Sequence, residues 1–233
     1  MFSAAGLKSP ARHGARRSCR VGAFVAGVSL LLIAQALSLD GQSDCQPCTI
    51  RITPEGAEYS FFFHTQVRAD GRRAVQSIRV MQGSAEVQEL KVHSMMGVPA
   101  RKNFFFRGVD INFDGFQDLE FITSQGVANA HADYWVFTPA AKKFSYLGNY
   151  SVFTIETDTH RLKTYERGGY GGMVYESDEY AFADGKLLLM RSEKQEATTQ
   201  PNVFRQVIRE RVKGVLKVTH RSTVKGKAPQ DEK

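Results

Sequence analysis

Short runs of alternating apolar and polar residues dominate the chain from Thr49 onward. Tyr59–Val67 and Ala74–Met81 flank Ala69-Asp70-Gly71. Tyr134-Trp135-Val136-Phe137 and Lys143–Leu147 flank Thr138-Pro139-Ala140-Ala141. Val152–Glu156 and Arg161–Glu166 flank Thr157–His160. Tyr175–Phe182 and Lys186–Ser192 flank Ala183-Asp184-Gly185, and Val203–Val212 and Val215–Ser222 flank Lys213-Gly214. Aromatic and β-branched runs of this length, punctuated by Gly, Asp and Pro, are strands joined by tight turns. An Asp-Gly pair between two such runs is a strong hairpin signal. Ser84–Val92 fits a strand or a short helix, and His93–Lys102 reads as loop. The pattern predicts an all-β domain, an antiparallel meander of hairpins, arranged as a sandwich or a small propeller-like body. The acidic loop pattern at Asp110–Asp118 occurs once, so a multi-repeat propeller is not supported.

One stretch breaks the alternation. Asp110-Ile111-Asn112-Phe113-Asp114-Gly115-Phe116-Gln117-Asp118 places acidic or amide oxygens at loop positions 1, 3, 5 and 9, with Gly at 6. Calcium takes six to eight oxygens, and the chain must turn sharply to supply them. Asp110, Asn112, Asp114 and Asp118 are the candidate side-chain ligands, Phe116 the candidate carbonyl, and Gly115 the turn. Position 12 holds Phe121 where an EF-hand has a bidentate Glu, and Glu120 is one residue out of register. Phe104-Phe105-Phe106 and Leu119–Ile122 flank the loop as strands, which predicts a single calcium loop at a strand-to-strand corner. The same residues without an ion would make an acidic Asx turn.

The ends carry other signals. Residues 1–20 hold Lys8, Arg12, Arg16, Arg17 and Arg20 and no acid, and Val21–Leu39 is nearly all apolar. Ala34-Gln35-Ala36 follows with small residues at the −3 and −1 positions of a cleavage site. This reads as a secretory signal peptide over residues 1–36. The apolar run is also just long enough to span a bilayer; Ser29, Gln35 and the cleavage pattern favour removal. The remaining domain is expected over residues 37–222, with a polar, disordered tail over 223–233. The whole chain is +7, but residues 1–36 hold five basic residues and no acid. The rest carries 26 basic against 24 acidic residues, +2, so charge gives no support for nucleic-acid binding. Localisation is expected to be periplasmic or secreted, with no membrane contact after cleavage. Cys45 and Cys48 are expected to bond to each other in an exported chain. A redox Cys-x-x-Cys is disfavoured, because an extended run follows where a helix is needed.

The other stretch that departs from the pattern is Arg167-Gly168-Gly169-Tyr170-Gly171-Gly172-Met173-Val174-Tyr175. Four glycines around one tyrosine fit a tight strand crossing. They equally fit a recognition loop with Tyr170, Gly171, Gly172 and Tyr175 at its contact surface. Signs of an enzyme are weak. No Gly-x-Ser-x-Gly elbow appears, the histidines are dispersed, and His131 with Asp133 suits packing beside Trp135. No residue is assigned a catalytic role.

Taken together, the Asp110–Leu119 loop, the Tyr134–Phe144 hairpin, the glycine-rich loop and the Asp184-Gly185-Lys186-Leu187 turn resemble one family. These are the periplasmic immunity proteins that protect bacteria from lysozyme-like effectors of type IV secretion. The chain is similar, over roughly Thr49–Ser192, to periplasmic i-type lysozyme inhibitors, and its calcium loop is FG-GAP-like. The resemblance implies an inhibitor of a lysozyme-like peptidoglycan hydrolase that carries Ca²⁺. It also implies a Ser-Gly-x-x-Tyr loop entering the enzyme's cleft. Here the match is Gly171-Gly172-Met173-Val174-Tyr175, with Gly171 where the family has Ser. The alternative is a calcium-stabilised periplasmic or surface module, binding or structural, with no lysozyme partner.

Overall fold

The computed structural model describes residues 48–53, 55–93 and 105–226, and all structural statements concern these. The signal segment 1–36, Cys45 and residues 227–233 lie outside them, so the signal peptide and the Cys45–Cys48 pairing stay expectations. The fold is all-β: fourteen strands in three antiparallel sheets, each a meander with neighbours in chain order.

The first sheet holds β1 (Cys48–Arg51), β2 (Glu58–Val67), β3 (Arg73–Gln82) and β4 (Ala85–Lys91). Pairing with β3 settles Ser84–Val92 as strand, since Ile78 stands opposite Leu90 and both are buried. The second sheet holds β5 (Phe106–Val109), β6 (Asp118–Gln125), β7 (Ala130–Thr138) and β8 (Lys143–Ser151). The third holds β9 (Thr154–Glu156), β10 (Arg161–Arg167), β11 (Tyr175–Ala183), β12 (Lys186–Ala197), β13 (Val203–Val212) and β14 (Val215–Lys225).

Alternation along the middle sheet explains the packing. Side chains of successive strand residues point to opposite faces, and here both faces are covered. Leu119, Phe121, Trp135 and Phe137 join Phe61, Ile78, Val80 and Leu90 of the first sheet in one core. Val109, Ala132 and Tyr134 join Phe153 and Leu162 in a second core, against which Tyr180 of the third sheet packs. The middle sheet is thus shared by two sandwiches. A strand buried on both faces loses the simple alternation, which is why Asp118–Phe121 is buried without a break.

Three expectations need correction. Val152–Glu156 is not one strand: β8 runs through Ser151, Val152 and Phe153 break it, and β9 starts at Thr154. Phe153 is buried in the second core, so packing rather than pairing places it. The strand before the Asp110–Gln117 loop begins at Phe106, and Phe105 is exposed. The last hairpin is longer than expected, because β14 continues to Lys225 by pairing with Val203 of β13. Residues 223–225, assigned to the tail from sequence, are therefore strand.

Candidate functional site

The Asp110–Gln117 loop joins β5 to β6, and its polar side chains fold back on its own backbone. Asp110 accepts the Asp114 N–H at 3.1 Å through one oxygen and the Gly115 N–H at 3.0 Å through the other. Asn112 Oδ1 accepts the Asp114 N–H at 3.2 Å. Asp114 accepts the Phe116 N–H at 2.9 Å and the Asn112 amide at 2.8 Å. Gly115 sits at φ +84, where a side chain would be strained. Phe113, at φ 61, stacks flat on His160 with ring centroids 4.9 Å apart.

Asp118 closes the loop from inside. It is fully buried at the start of β6, and its oxygens accept the Phe137 N–H at 2.7 Å and the Ile111 N–H at 3.1 Å. Burial pushes its pKa up to about 7; the two N–H bonds pull it down, and the charges of Asp114 and Asp110 push it up again. No group of three or more His, Cys, Asp or Glu among the described residues is gathered as a ready-made metal cluster. The donor chemistry nonetheless fits a hard cation. Three carboxylates and an amide oxygen crowd one turn, and none of the three acids is in a salt bridge among the described residues. A carboxylate oxygen that accepts one N–H keeps a second lone pair.

The glycine-rich loop is a built structure that joins β10 to β11. Gly168 N–H donates to Val174 O at 2.7 Å, Val174 N–H to Gly169 O at 3.3 Å, and Met173 N–H to Tyr170 O at 3.1 Å. Gln195 Nε2 holds Met173 O at 2.6 Å. Asn129, in the β6–β7 turn, clamps the loop's root by two hydrogen bonds to the Arg167 backbone, at 2.8 and 3.0 Å. Residues Tyr170–Gly172 form a single 3-10 turn. Tyr170, Gly171 and Gly172 all have positive φ, at 57, 63 and 90. For tyrosine this is an uncommon, strained conformation.

The two tyrosines differ sharply. Tyr175 stacks on Tyr165 and donates its hydroxyl to Glu193 at 2.6 Å, while Gln206 Nε2 donates to it at 3.2 Å. Tyr170 is 68% exposed, and its ring meets Phe204 edge-on at 5.7 Å. Gly171 and Gly172 lie between them, so of the four residues only Tyr170 offers a free aromatic group. The β12–β13 turn, Thr198–Asn202, stands beside Tyr170. Sequence reading passed over it, although Pro201-Asn202 ahead of an apolar run is a turn signal.

Other buried acids have internal partners. Glu120 receives Arg107 Nε at 2.6 Å and the Tyr134 hydroxyl at 2.7 Å. Asp133 accepts the His93 N–H, the Tyr146 hydroxyl and the Asn149 amide. His131, its neighbour by two positions, instead approaches Glu166 at 3.5 Å.

No family model matches the chain, and no curated protein matches it. Its fold is similar to the solved structure of a Xanthomonas type IV secretion system related protein. The two are 13% identical, the match covers 77% of this chain and 96% of that one, and the TM-score is 0.50. At that identity the likeness extends to the fold alone.

Proposed function

We propose that this chain is an exported, calcium-stabilised protein that inhibits a lysozyme-like peptidoglycan hydrolase. The observation that carries this reading is the glycine-rich loop: a hydrogen-bonded turn that holds Tyr170 outward from a left-handed backbone. Such a loop loses little conformational freedom on binding, which favours affinity. Lysozyme-like enzymes carry two carboxyl groups beside the scissile bond. A tyrosine hydroxyl can donate to one, and a narrow glycine turn can follow it into the cleft. Tyr170 is assigned this role, because the Tyr175 hydroxyl is spent on Glu193 and Gln206. The fold likeness to a type IV secretion system related protein is in keeping with an envelope role.

Asp110, Asn112, Asp114, Asp118 and the Phe116 carbonyl would hold the calcium, which would supply the positive charge that three crowded carboxylates lack. Without a bidentate Glu the affinity is expected near 10⁻⁴ M, on the order of extracellular modules. At ten times Kd, calcium would stabilise the fold by about 1.4 kcal/mol.

The test is muramidase inhibition by wild type and by Tyr170→Ala and Tyr175→Phe. Tyr170→Ala should weaken inhibition about thirtyfold, or roughly 2 kcal/mol, with an unchanged melting temperature. Tyr175→Phe should inhibit as wild type does and lose stability by about 1 kcal/mol. A wild type that inhibits no hydrolase, effector enzymes included, would leave the second reading. In that reading the chain is a calcium-stabilised binding or structural module of the envelope, favoured by the buried Asp118 at the loop's base.

A further inference from the structure

The hollow beside Tyr170 has a chemistry that the inhibitor reading does not use. Adjacent antiparallel strands alternate in direction, so the β10–β11 and β12–β13 connections fall at the same end of the third sheet. Between them lies a hollow of about 300 Å³, lined by Tyr170 and the run Ala197–Phe204. This is at the low end for small-molecule sites, roughly 300–1,000 Å³. We propose that it binds one uncharged pyranose ring of a saccharide.

The lining selects that class. None of its nine residues is charged, although 24% of the chain is. An anion or cation would enter without a counter-charge and lose its hydration. Another hollow of similar size, about 250 Å³, has the acids Glu166, Glu176 and Asp178 and the titratable His131 among its walls. Tyr170 supplies an exposed ring held edge-on to the buried Phe204. A pyranose presents C–H groups on its faces, which lie against an aromatic ring, and hydroxyls around its rim. The side-chain amides of Gln200 and Asn202 and the Thr199 hydroxyl are exposed. They make no hydrogen bond among the described residues. Amides donate and accept at once, which suits hydroxyls that do the same.

The walls are fixed in advance. Thr198 N–H donates to Val203 O at 3.0 Å, and its hydroxyl donates to the same oxygen at 2.8 Å. Gly226 N–H donates to Asn202 O at 2.8 Å, tying the turn to the end of β14. Asn202 and Tyr170 both stand at φ 57, and both line the hollow. For tyrosine that backbone is strained, and such strain clusters at binding sites; for Asn it is an ordinary turn conformation.

The proposal shares Tyr170 with the inhibitor reading but does not depend on it. The probes are maltotriose and chitotriose, titrated into the exported protein with calcium present and followed by saturation-transfer NMR and calorimetry. At least one should bind with a Kd of about 1 mM, with transfer from the Tyr170 ring. Chitotriose alone would mean that an N-acetyl group is recognised, and both would mean that the ring suffices. Tyr170→Ala and Asn202→Gly, which keeps the left-handed backbone, should each weaken binding roughly tenfold. Tyr165→Ala, at a half-exposed tyrosine elsewhere on the sheet, should not. Failure of both saccharides to bind at ten times the expected Kd overturns the proposal, as does binding that survives Tyr170→Ala. Hydrolase inhibition by wild type with no saccharide bound rejects the hollow and leaves the inhibitor standing. Saccharide binding without inhibition does the reverse.

Discussion

At the scale of single residues, buried carboxylates set the terms. Glu120 has a side chain only 3% exposed, and its charge is balanced by Arg107, which reaches in from a 44% exposed position. The hydrogen bond from Arg107 and the Tyr134 hydroxyl leave neither oxygen alone. Arg107→Ala should strand the charge and cost about 3 kcal/mol in urea unfolding. Glu120→Gln placed on top of it should recover part of that loss; a strictly additive double variant would refute the pairing. Asp118 has no such cation among the described residues. Its folded pKa near 7 lies above the ordinary 3.8, so the folded state holds the proton more tightly than the unfolded state. In chelator, stability is therefore highest below the ordinary value, falls as pH rises towards about 7, and is level above it. The span is roughly 4 kcal/mol. Glu156, Glu193 and Glu196 are shifted the other way, and their contributions are lost only below their ordinary 4.5. Melts between about pH 5 and pH 7 thus isolate the Asp118 effect. A calcium-free melting temperature that rises across that window would contradict it.

At the scale of elements, turns were the legible part of the sequence. Asp184-Gly185 and Lys213-Gly214 both adopt positive φ in succession, which is the backbone a two-residue hairpin requires and which Gly announces. The turn at Asp110–Gln117 was legible for a related reason, since its polar side chains recur at fixed offsets around Gly115, which takes φ +84. The partition into three sheets was not legible. Its second boundary is the two-residue break at Val152-Phe153, which carries no Gly, Pro or Asp and is held by Phe153 entering a core. The choice between Tyr170 and Tyr175 was hidden too. It rests on Glu193 and Gln206, which reach Tyr175 from β12 and β13. Two neighbouring glycines now make opposite predictions. A Cβ on Gly168 would stand 2.6 Å from Val174 Cγ1 and 3.0 Å from its carbonyl, while one on Gly169 meets nothing within 4 Å. Gly168→Ala should distort the loop at a cost of about 1–3 kcal/mol and weaken hydrolase inhibition with it. Gly169→Ala should leave both stability and inhibition as they are. Equal behaviour of the two variants would mean that loop shape does not position Tyr170.

For the molecule as a whole, the shared middle sheet couples what would otherwise be two sandwiches. Leu119 of β6 and Trp135 of β7 face the first core, while Ile122 of β6 and Ala132 and Tyr134 of β7 face the second, so both strands alternate between the cores. Neither core can lose its side of β6 and β7 while the other keeps its own. Unfolding of these two cores should therefore be a single cooperative event. The outer hairpin is different: β14 has no residue in the buried class, and its exposed edge carries Lys217, His220 and Arg221. Such charges discourage edge-to-edge pairing, and sparse burial makes local opening cheap. Trp135 fluorescence reports the first core, and amide exchange across β10 reports the second. Leu119→Ala, in the first core, should cost about 2–5 kcal/mol and move both signals to lower urea by the same amount. Exchange in β14 should be fast before and after the substitution. A Trp135 transition that shifts while β10 protection stays in place would show that the two sandwiches unfold apart, and that the middle sheet does not bind them into one unit.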